Sequence, residues 1–324
     1  MVRVALLGAG RWGPNLLRAL QAQPGARVTW LVEPREARLG AVAAACRAAR
    51  RSTDADAALT APDVDAVVLA TPTATHAALA RRALEAGKHV LVEKPVATRL
   101  DDAVALSELA QARRLTLMVG HVYLFHPAVQ AVKAQLSDGA LGAVKGLRFE
   151  RTNLGPVRAD VDAAWDLAAH DLSIADEWLG ELPATVNASG ACLLTPGRAD
   201  AVTATLRYAS GVVAQLHVGW LEPTKTRRAT VVGARALLRF EEDAGASRVT
   251  RYDCGVDGDV VREGPAHAVP VDSGEPLSRE VAHFLECVAA GRRPASDGVR
   301  AARVVRVLEA MSRSMARGGA EEPV

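Results

Sequence analysis

MVRVALLGAGRWGPNLLRAL, residues 1–20, decides the fold. Val2–Leu7 is a short unbroken apolar run, the pattern of a strand covered on both faces as in a parallel sheet. GAGRWG follows at once and fits G-x-G-x-x-G at Gly8, Gly10 and Gly13. A helix is expected from about Pro14 to Gln23, stopped by Pro24-Gly25. Alone, the three glycines say little. Between a buried strand and a helix they describe a turn that seats a dinucleotide. Gly8 permits the tight turn, Gly10 lets the backbone approach a pyrophosphate, and Gly13 lets the helix pack close to the strand. The N–H groups at the helix N-terminus then face the phosphates. Arg11 and Trp12 lie inside the same loop and are candidates with it.

Further along, Arg27–Val32 reads as the second strand and delivers Glu33 to its end, twenty residues beyond Gly13. A carboxylate there takes the adenosine ribose hydroxyls. It favours NAD, because a 2′-phosphate would meet a like charge. Arg35 and Arg38, able to bind such a phosphate, leave NADP as the alternative.

Strand and helix patterns keep alternating up to residue 121. Asp65–Ala70, His89–Val92 and Thr116–Val119 read as strands, and about His76–Ala86 and Leu100–Arg113 as helices. This is a doubly wound parallel α/β arrangement. After a helix at His126–Ser137 the pattern changes. Strands are expected at Ala143–Thr152, Ala184–Ala191, Ala201–Tyr208, Val212–Trp220, Arg228–Val232 and Ala236–Phe240, implying a largely antiparallel sheet. A helix at about Leu167–Leu179 interrupts them. Residues 241–276, rich in Gly, Asp and Pro, read as irregular hairpins and loops. Helices at about Ser278–Ala290 and Gly298–Ala316 follow. The expected organisation is a dinucleotide-binding domain over 1–121, an α+β domain over 122–317 for substrate and oligomer contacts, and a loose tail over 318–324.

Composition narrows the partners. Lys and Arg number 39 against 37 Asp and Glu, a net charge of +2. That balance gives no electrostatic reason to expect nucleic acid or a membrane surface. Arginine pairs such as Arg50-Arg51 read as solvated surface. Cys46, Cys192, Cys254 and Cys287 form no CxxC unit, which reads as a reduced cytoplasmic protein. No apolar run approaches the ~18 residues of a membrane span.

Two further runs carry chemistry. Glu93-Lys94-Pro95 directly follows a buried strand, so Lys94 arrives at the C-terminal edge of the sheet, where open α/β folds bind ligands. Partial desolvation there would fit it for proton transfer. In WDLAAHD at Trp165–Asp171, Asp166 and His170 are spaced i, i+4 and share one helix face. A histidine titrating near neutrality suits acid–base work, with the aspartate orienting it or stabilising its charged form. A solvated helix face is the plain alternative. His121, His126 and His170 show no metal-ligand spacing, so no catalytic metal is expected.

With these residues in place, the chain resembles the Gfo/Idh/MocA oxidoreductase family over nearly its full length. The matching residues are Gly8–Gly13 with Trp12, Thr71-Pro72 with His76, Glu93-Lys94-Pro95, and Asp166 with His170. The resemblance implies a Rossmann domain followed by an open, mostly antiparallel sheet, often used for oligomerisation into homodimers or homotetramers. It implies that Lys94, Asp166 and His170 line a substrate at the nicotinamide. Thr71, Pro72, His76 and Glu93 would lie along the cofactor. GRWGPN, the stretch from NLGPVRAD to WDLAAHD, and WLEPTKTRR at Trp220–Arg228 are similar to nucleotide-sugar 3-dehydrogenases of the UDP-N-acetylglucosaminuronate type. These imply a small-molecule sugar substrate and oxidation of its 3-hydroxyl by NAD. His126 stands where such relatives often carry asparagine, a departure that would touch the sugar pocket.

Arg148, Arg151 and Arg158 flank this segment and could hold a diphosphate or carboxylate as arginine forks. Exposed strand charges are the alternative, with Arg148 and Glu150 paired on one strand face. Lys225, Arg227 and Arg228 either hold phosphate or are structural. On the resemblance, Tyr123 and Asn153 are sugar-hydroxyl partners. Trp165 either stacks on the sugar or packs in the core. Two other readings stay open: reduction of a 3-keto sugar or oxidation of an aminoglycoside or cyclitol hydroxyl, and a nucleotide-binding sensor without chemistry.

Overall fold

The computed structural model describes residues 1–243, 245–257 and 259–324. Its contacts divide the chain into two compact units, Met1–Phe125 with Gly274–Val305, and His126–Ser273 with Arg306–Val324. That division differs from a linear cut at residue 121, because helices late in the chain return to the first unit.

In the first stretch the elements are β1 (Val2–Leu7), α1 (Gly13–Gln21), β2 (Ala26–Val32), α2 (Glu36–Ala43), β3 (Arg50–Ser52), α3 (Ala55–Leu59), β4 (Ala66–Leu69), α4 (His76–Glu85), β5 (His89–Glu93), α5 (Leu100–Ala112) and β6 (Leu117–Gly120). The strands form one sheet in the order β3-β2-β1-β4-β5-β6, every pair parallel. This is the doubly wound order whose crevice at the strand C-termini binds ligands. Val4, Leu6, Val68, Leu91 and Met118 fill one layer of core against Leu16, Leu17 and Leu20 of α1.

α2, β3 and α3 escape the sequence reading. β3 is an edge strand with both arginines exposed, so it lacks the apolar run that marks the central strands. Arg50 instead lies 5.5 Å over the Trp30 ring and 3.8 Å from Asp63. Charge on an edge strand also discourages pairing with another chain.

The chain continues through α6 (Pro127–Ser137), β7 (Val144–Leu154), α7 (Ala169–Leu179), β8 (Pro183–Ala191), β9 (Ala201–Tyr208), β10 (Val213–Gly219), β11 (Leu221–Gly233), β12 (Leu237–Asp243), β13 (Ala246–Tyr252), β14 (Gly255–Asp257), β15 (Val260–Arg262), β16 (Ala266–Val269), α8 (Pro276–Ala290), α9 (Gly298–Ala316) and β17 (Glu322–Pro323). α8 belongs to the first unit, where Leu277, Val281, Phe284 and Leu285 join the core around β1 and α1.

The second unit holds a nine-stranded sheet, β16-β13-β12-β11-β7-β10-β9-β8-β17. Its neighbours are antiparallel except β7 and β10. Alternation along β9 shows why it forms: Val202, Ala204, Leu206 and Tyr208 are buried while Thr203 and Arg207 are exposed. α6 and α7 pack together, with the Trp178 indole donating to the Val129 carbonyl at 3.1 Å and stacking 5.9 Å from Phe149.

Three expectations change here. Residues 241–276, read as irregular hairpins and loops, contribute β13 and β16 to the nine-stranded sheet, while β14 and β15 pair as a separate two-stranded hairpin. Residues 318–324 are no loose tail. Glu322 is buried, its carboxylate gripped by Arg313 and Arg317, and β17 pairs with β8. The helix expected over 167–179 opens as a π turn, Ala164–Ala168, before α7 begins.

Candidate active site

In the first unit the three glycines serve three different needs. Gly8 has φ +101°, and a Cβ there would lie 2.5 Å from the Ala70 carbonyl oxygen. A Cβ on Gly13 would lie 2.2 Å from the Gly8 carbonyl oxygen. Both positions are closed by the protein's own backbone. A Cβ on Gly10 would meet nothing within 4 Å. The open space at Gly10, at the mouth of α1, fits the close approach of a dinucleotide pyrophosphate. No side chain caps α1, while Arg11 and Trp12 are exposed beside the loop.

Glu33 closes the other side of this cradle. It is 2% exposed and accepts hydrogen bonds from the Ala9 amide at 2.9 Å and the Arg35 Nε at 2.7 Å. Burial alone would push its carboxyl up, but Arg35 and the amides of Ala9 and Arg35 outweigh that and hold it below its ordinary value. A carboxylate is therefore fixed at the end of β2, with Arg35 tied to it. Arg38 is exposed.

The next two strand ends are clasped by His76. Its Nδ1 lies 2.8 Å from the Pro95 carbonyl oxygen and its Nε2 2.9 Å from the Thr71 carbonyl oxygen. His76 is buried, so its visible work is joining the loop after β4 to the turn after β5, with Pro72 exposed between them. The Thr75 hydroxyl donates to Thr71 Oγ1 at 2.8 Å. Glu93 ends β5, Lys94 follows half-buried, and the Lys94–Pro95 bond is cis. Near Lys94 stands His121, 2% exposed. Burial pushes its imidazole down to about 3, with the charges of Lys94 and Arg300 acting in the same direction. His121 is neutral across the physiological range.

In the second unit Asp166 sits in the π turn and His170 at the start of α7. The change from i→i+5 to i→i+4 bonding between them replaces the single regular helix face that the sequence implies. The Asp166 carboxylate is held from two sides. The Trp220 indole donates to Oδ2 at 3.2 Å, and Arg158 Nη1 lies 3.5 Å from Oδ1. Arg158 also forks onto Asp160, at 2.9 and 2.8 Å. His170 is half-buried, and its carbonyl accepts from the Ser173 hydroxyl at 2.7 Å.

Arg151 departs from its expected place as an anion-holding fork. It is 3% exposed, with Nε 2.9 Å and Nη2 2.7 Å from Oδ1 of Asp171, the residue after His170. Burial pushes the Asp171 carboxyl up, against the opposing pull of Arg151 and Arg227. Arg227 is spent on the carbonyls of Thr152 and Thr226 and on Asn153 Oδ1. Asn153 also donates to the Gly155 carbonyl at 2.6 Å. Arg228 bridges Glu150 at 3.0 Å and Glu241 at 3.1 Å, so Glu150 pairs with it rather than with Arg148, which reaches Gln215.

Trp165 is buried and donates to Ser312 Oγ at 3.0 Å, the core role among its two readings. Lys225 is exposed, 3.3 Å from Glu242. Tyr123 is half-buried in a 3-10 turn, Val122–Phe125. His126 works as a helix cap. Its Nδ1 accepts from the Ala128 amide at 3.1 Å, and its Nε2 lies 3.2 Å from Ser247 Oγ. Asparagine caps helices by the same acceptor geometry, so the departure at 126 exchanges one cap for another.

Sequence reasoning missed Trp220 as the holder of Asp166, Asp171 as the partner of Arg151, and His121 beside Lys94. A buried tryptophan directly after a strand offers the one usable signal, since its N–H needs an acceptor. Among the described residues no three His, Cys, Asp or Glu gather as metal ligands, and no helix is long and apolar enough to cross a membrane.

Comparison with known proteins agrees with this geometry. Residues 2–121 match a family described as an oxidoreductase family with an NAD-binding Rossmann fold, and residues 129–239 match the GFO/IDH/MocA C-terminal domain. The chain is 33% identical over 316 residues to UDP-N-acetylglucosamine 3-dehydrogenase from Acidithiobacillus ferrooxidans, covering 94% of each chain. A solved structure of that enzyme superposes with a TM-score of 0.84 at 30% identity, over 97% of this chain and 98% of the other. Inositol 2-dehydrogenase from Rhizobium meliloti is 30% identical over 336 residues, 97% of each.

Proposed function

The chain belongs to the Gfo/Idh/MocA oxidoreductase family, and on that premise we propose that it oxidises the 3-hydroxyl of a hexose carried on a nucleotide. It is an NAD-binding enzyme acting on CH–OH groups. The observation that carries the reading is the Asp166 carboxylate, held by Trp220 and Arg158 in the turn that leads to His170. The nucleotide-sugar substrate is supported by the likeness to UDP-N-acetylglucosamine 3-dehydrogenase.

His170 takes the hydroxyl proton, and the fixed charge of Asp166 stabilises the imidazolium so formed. The Lys94 ammonium stabilises the developing alkoxide. Gly8, Gly10, Gly13, Glu33, Thr71, Pro72 and Glu93 would hold NAD, which when bound supplies the hydride acceptor. Arg158, Lys225, Tyr123 and Asn153 are the substrate-side residues of this reading.

A second reading, oxidation of a cyclitol hydroxyl, is favoured by one observation. Arg151 and Arg228 are spent on protein carboxylates, which leaves fewer cations for a diphosphate. The inositol dehydrogenase relative points the same way. Following NADH absorbance with UDP-N-acetylglucosamine, UDP-N-acetylglucosaminuronate and inositols separates the two. Turnover confined to inositols overturns the nucleotide-sugar reading. Normal turnover by both Lys94→Met and His170→Ala overturns the proton-transfer roles. We assign the enzyme to the cytoplasm, where four unpaired thiols persist, and place homodimer or homotetramer contacts on the nine-stranded sheet.

A further inference from the structure

His76, the first residue of α4, is 1% exposed and meets a backbone carbonyl with each of its ring nitrogens. Nδ1 lies 2.8 Å from the Pro95 oxygen, and Nε2 lies 2.9 Å from the Thr71 oxygen. A carbonyl oxygen only accepts, and a neutral imidazole has one N–H and one lone pair. In either neutral tautomer, one nitrogen would set its lone pair against that of a carbonyl at hydrogen-bond distance. Such a contact repels and should open, yet both contacts are closed. The imidazolium carries a proton on each nitrogen and donates to both carbonyls. Burial opposes the charge, whereas hydrogen bonds that only the charged form can make favour it. Two short contacts on one ring show that the second effect prevails.

We propose that His76 is a positioning residue that works as a buried imidazolium, tying the loop after β4 to the Lys94–Pro95 turn through two donated hydrogen bonds. The proposal rests on the reading given above, in which Thr71 and Pro72 hold the cofactor and Lys94 acts on the substrate. The two acceptors lie just past the ends of β4 and β5, which are neighbours in the sheet. Loss of one proton leaves a single N–H for both, so one strand end comes loose from the other. Among the elements packed on α4, β4 and the 3-10 turn Thr73–Thr75 carry no charged side chain. β5 carries Glu93 at the same end and His89 at the other, where its Nδ1 accepts from the Thr116 amide. α5 carries Asp101, bound to Arg99, with Asp102 and Glu108. α4 itself carries Arg81, Arg82, bound to Asp56, and Glu85. Lys94 stands between Glu93 and Pro95.

The test uses the full chain with its eight histidines labelled with 15N. At pH 8 an ordinary histidine, with a value of about 6.5, shows one protonated and one bare ring nitrogen. One histidine with both nitrogens protonated, with nuclear Overhauser contacts to Pro95, is expected at that pH, and its signals should vanish in His76→Gln. The absence of any doubly protonated histidine at pH 8 overturns the proposal, and this arm needs neither a variant nor a ligand. NADH fluorescence titration supplies the second readout. His76→Gln, whose one amide cannot span two carbonyls placed on either side of an imidazole, should bind NADH about threefold or more weakly at neutral pH. Its affinity should stay flat on alkalinisation, while wild type falls toward it as the second proton leaves His76. Equal affinities at neutral pH, or a wild-type affinity that holds while that proton is lost, overturn the positioning role. Where His76→Gln fails to fold, the wild-type chain carries both measurements. Wild type that binds no NADH would sink the cofactor reading and leave the spectrum to decide the charge of His76.

Discussion

Trp220 donates its indole N–H to Oδ2 of Asp166 across 3.2 Å. The indole is fully buried, so the bond fixes the carboxylate from the protein side while Arg158 approaches the other oxygen. A hydrogen bond to a charged group is worth about 1.5–3 kcal/mol. Trp220→Phe should therefore lower kcat/KM by roughly ten- to a hundredfold, with NADH affinity unchanged. Steady-state kinetics beside a fluorescence titration measures both, and unchanged kcat/KM would remove Asp166 from the mechanism.

The glycine loop separates folding from binding. Gly8→Ala drives a Cβ into the Ala70 carbonyl at a left-handed φ and should cost about 2–4 kcal/mol of stability. Gly10→Ala meets no protein atom and should unfold within about 1 kcal/mol of wild type. Its NADH affinity should nevertheless fall by about tenfold, because the methyl enters the space meant for pyrophosphate. Thermal unfolding and NADH titration of both variants test this, and Gly10→Ala binding NADH normally would contradict it.

His121 makes the fold acid-sensitive. Its folded value lies at about 3 against an ordinary 6.5. The unfolded chain therefore binds a proton that the fold refuses, and stability falls as pH drops from 6.5 toward 3. The loss amounts to roughly 5 kcal/mol at most. His121→Gln should move the acid-unfolding midpoint, followed by circular dichroism, to lower pH. A midpoint identical to wild type would show that His121 is not the group responsible.

Arg151 and Asp171 form a buried pair one residue past His170. Arg151→Met strips the buried Asp171 carboxyl of its hydrogen-bonded partner, a change that costs about 3–5 kcal/mol. Arg151→Met with Asp171→Asn should recover a large part of that loss. Urea unfolding of the two variants gives the comparison. Arg151→Met with wild-type stability but a raised substrate KM would return Arg151 to the role of a substrate fork.

Much of the first unit was legible because its signals are local. An apolar hexamer, a glycine turn and a helix stand within the first two dozen residues, and Glu33 directly follows the second strand. The strand end that carries Lys94 was legible for the same reason, whereas the π turn that carries Asp166 reads in sequence as a plain helix face. Arg50–Ser52 hid as a strand because its stability comes from edge pairing and from Trp30. The return of α8 to the first core, and the capture of Arg151 by Asp171, depend on which distant residue fills a space, which residue spacing does not encode. His126 is intermediate. Pro127 at the first helical position marks a helix start, but the sequence does not reveal that an imidazole takes over the cap.

The π turn at Ala164–Ala168 puts the Asp166 carboxylate in a phase of its own. An α-helix turns by about 100° per residue, and a π turn carries roughly one residue more than that rhythm allows. Removing one residue between 164 and 168 would let the segment anneal into plain α-helix and swing everything before it by about 100° around the axis, taking Asp166 from the Trp220 indole. α7 and His170 would be untouched. A wide turn of five residues thus acts as an angular setting for one carboxylate, adjustable in whole-residue steps and in no smaller unit.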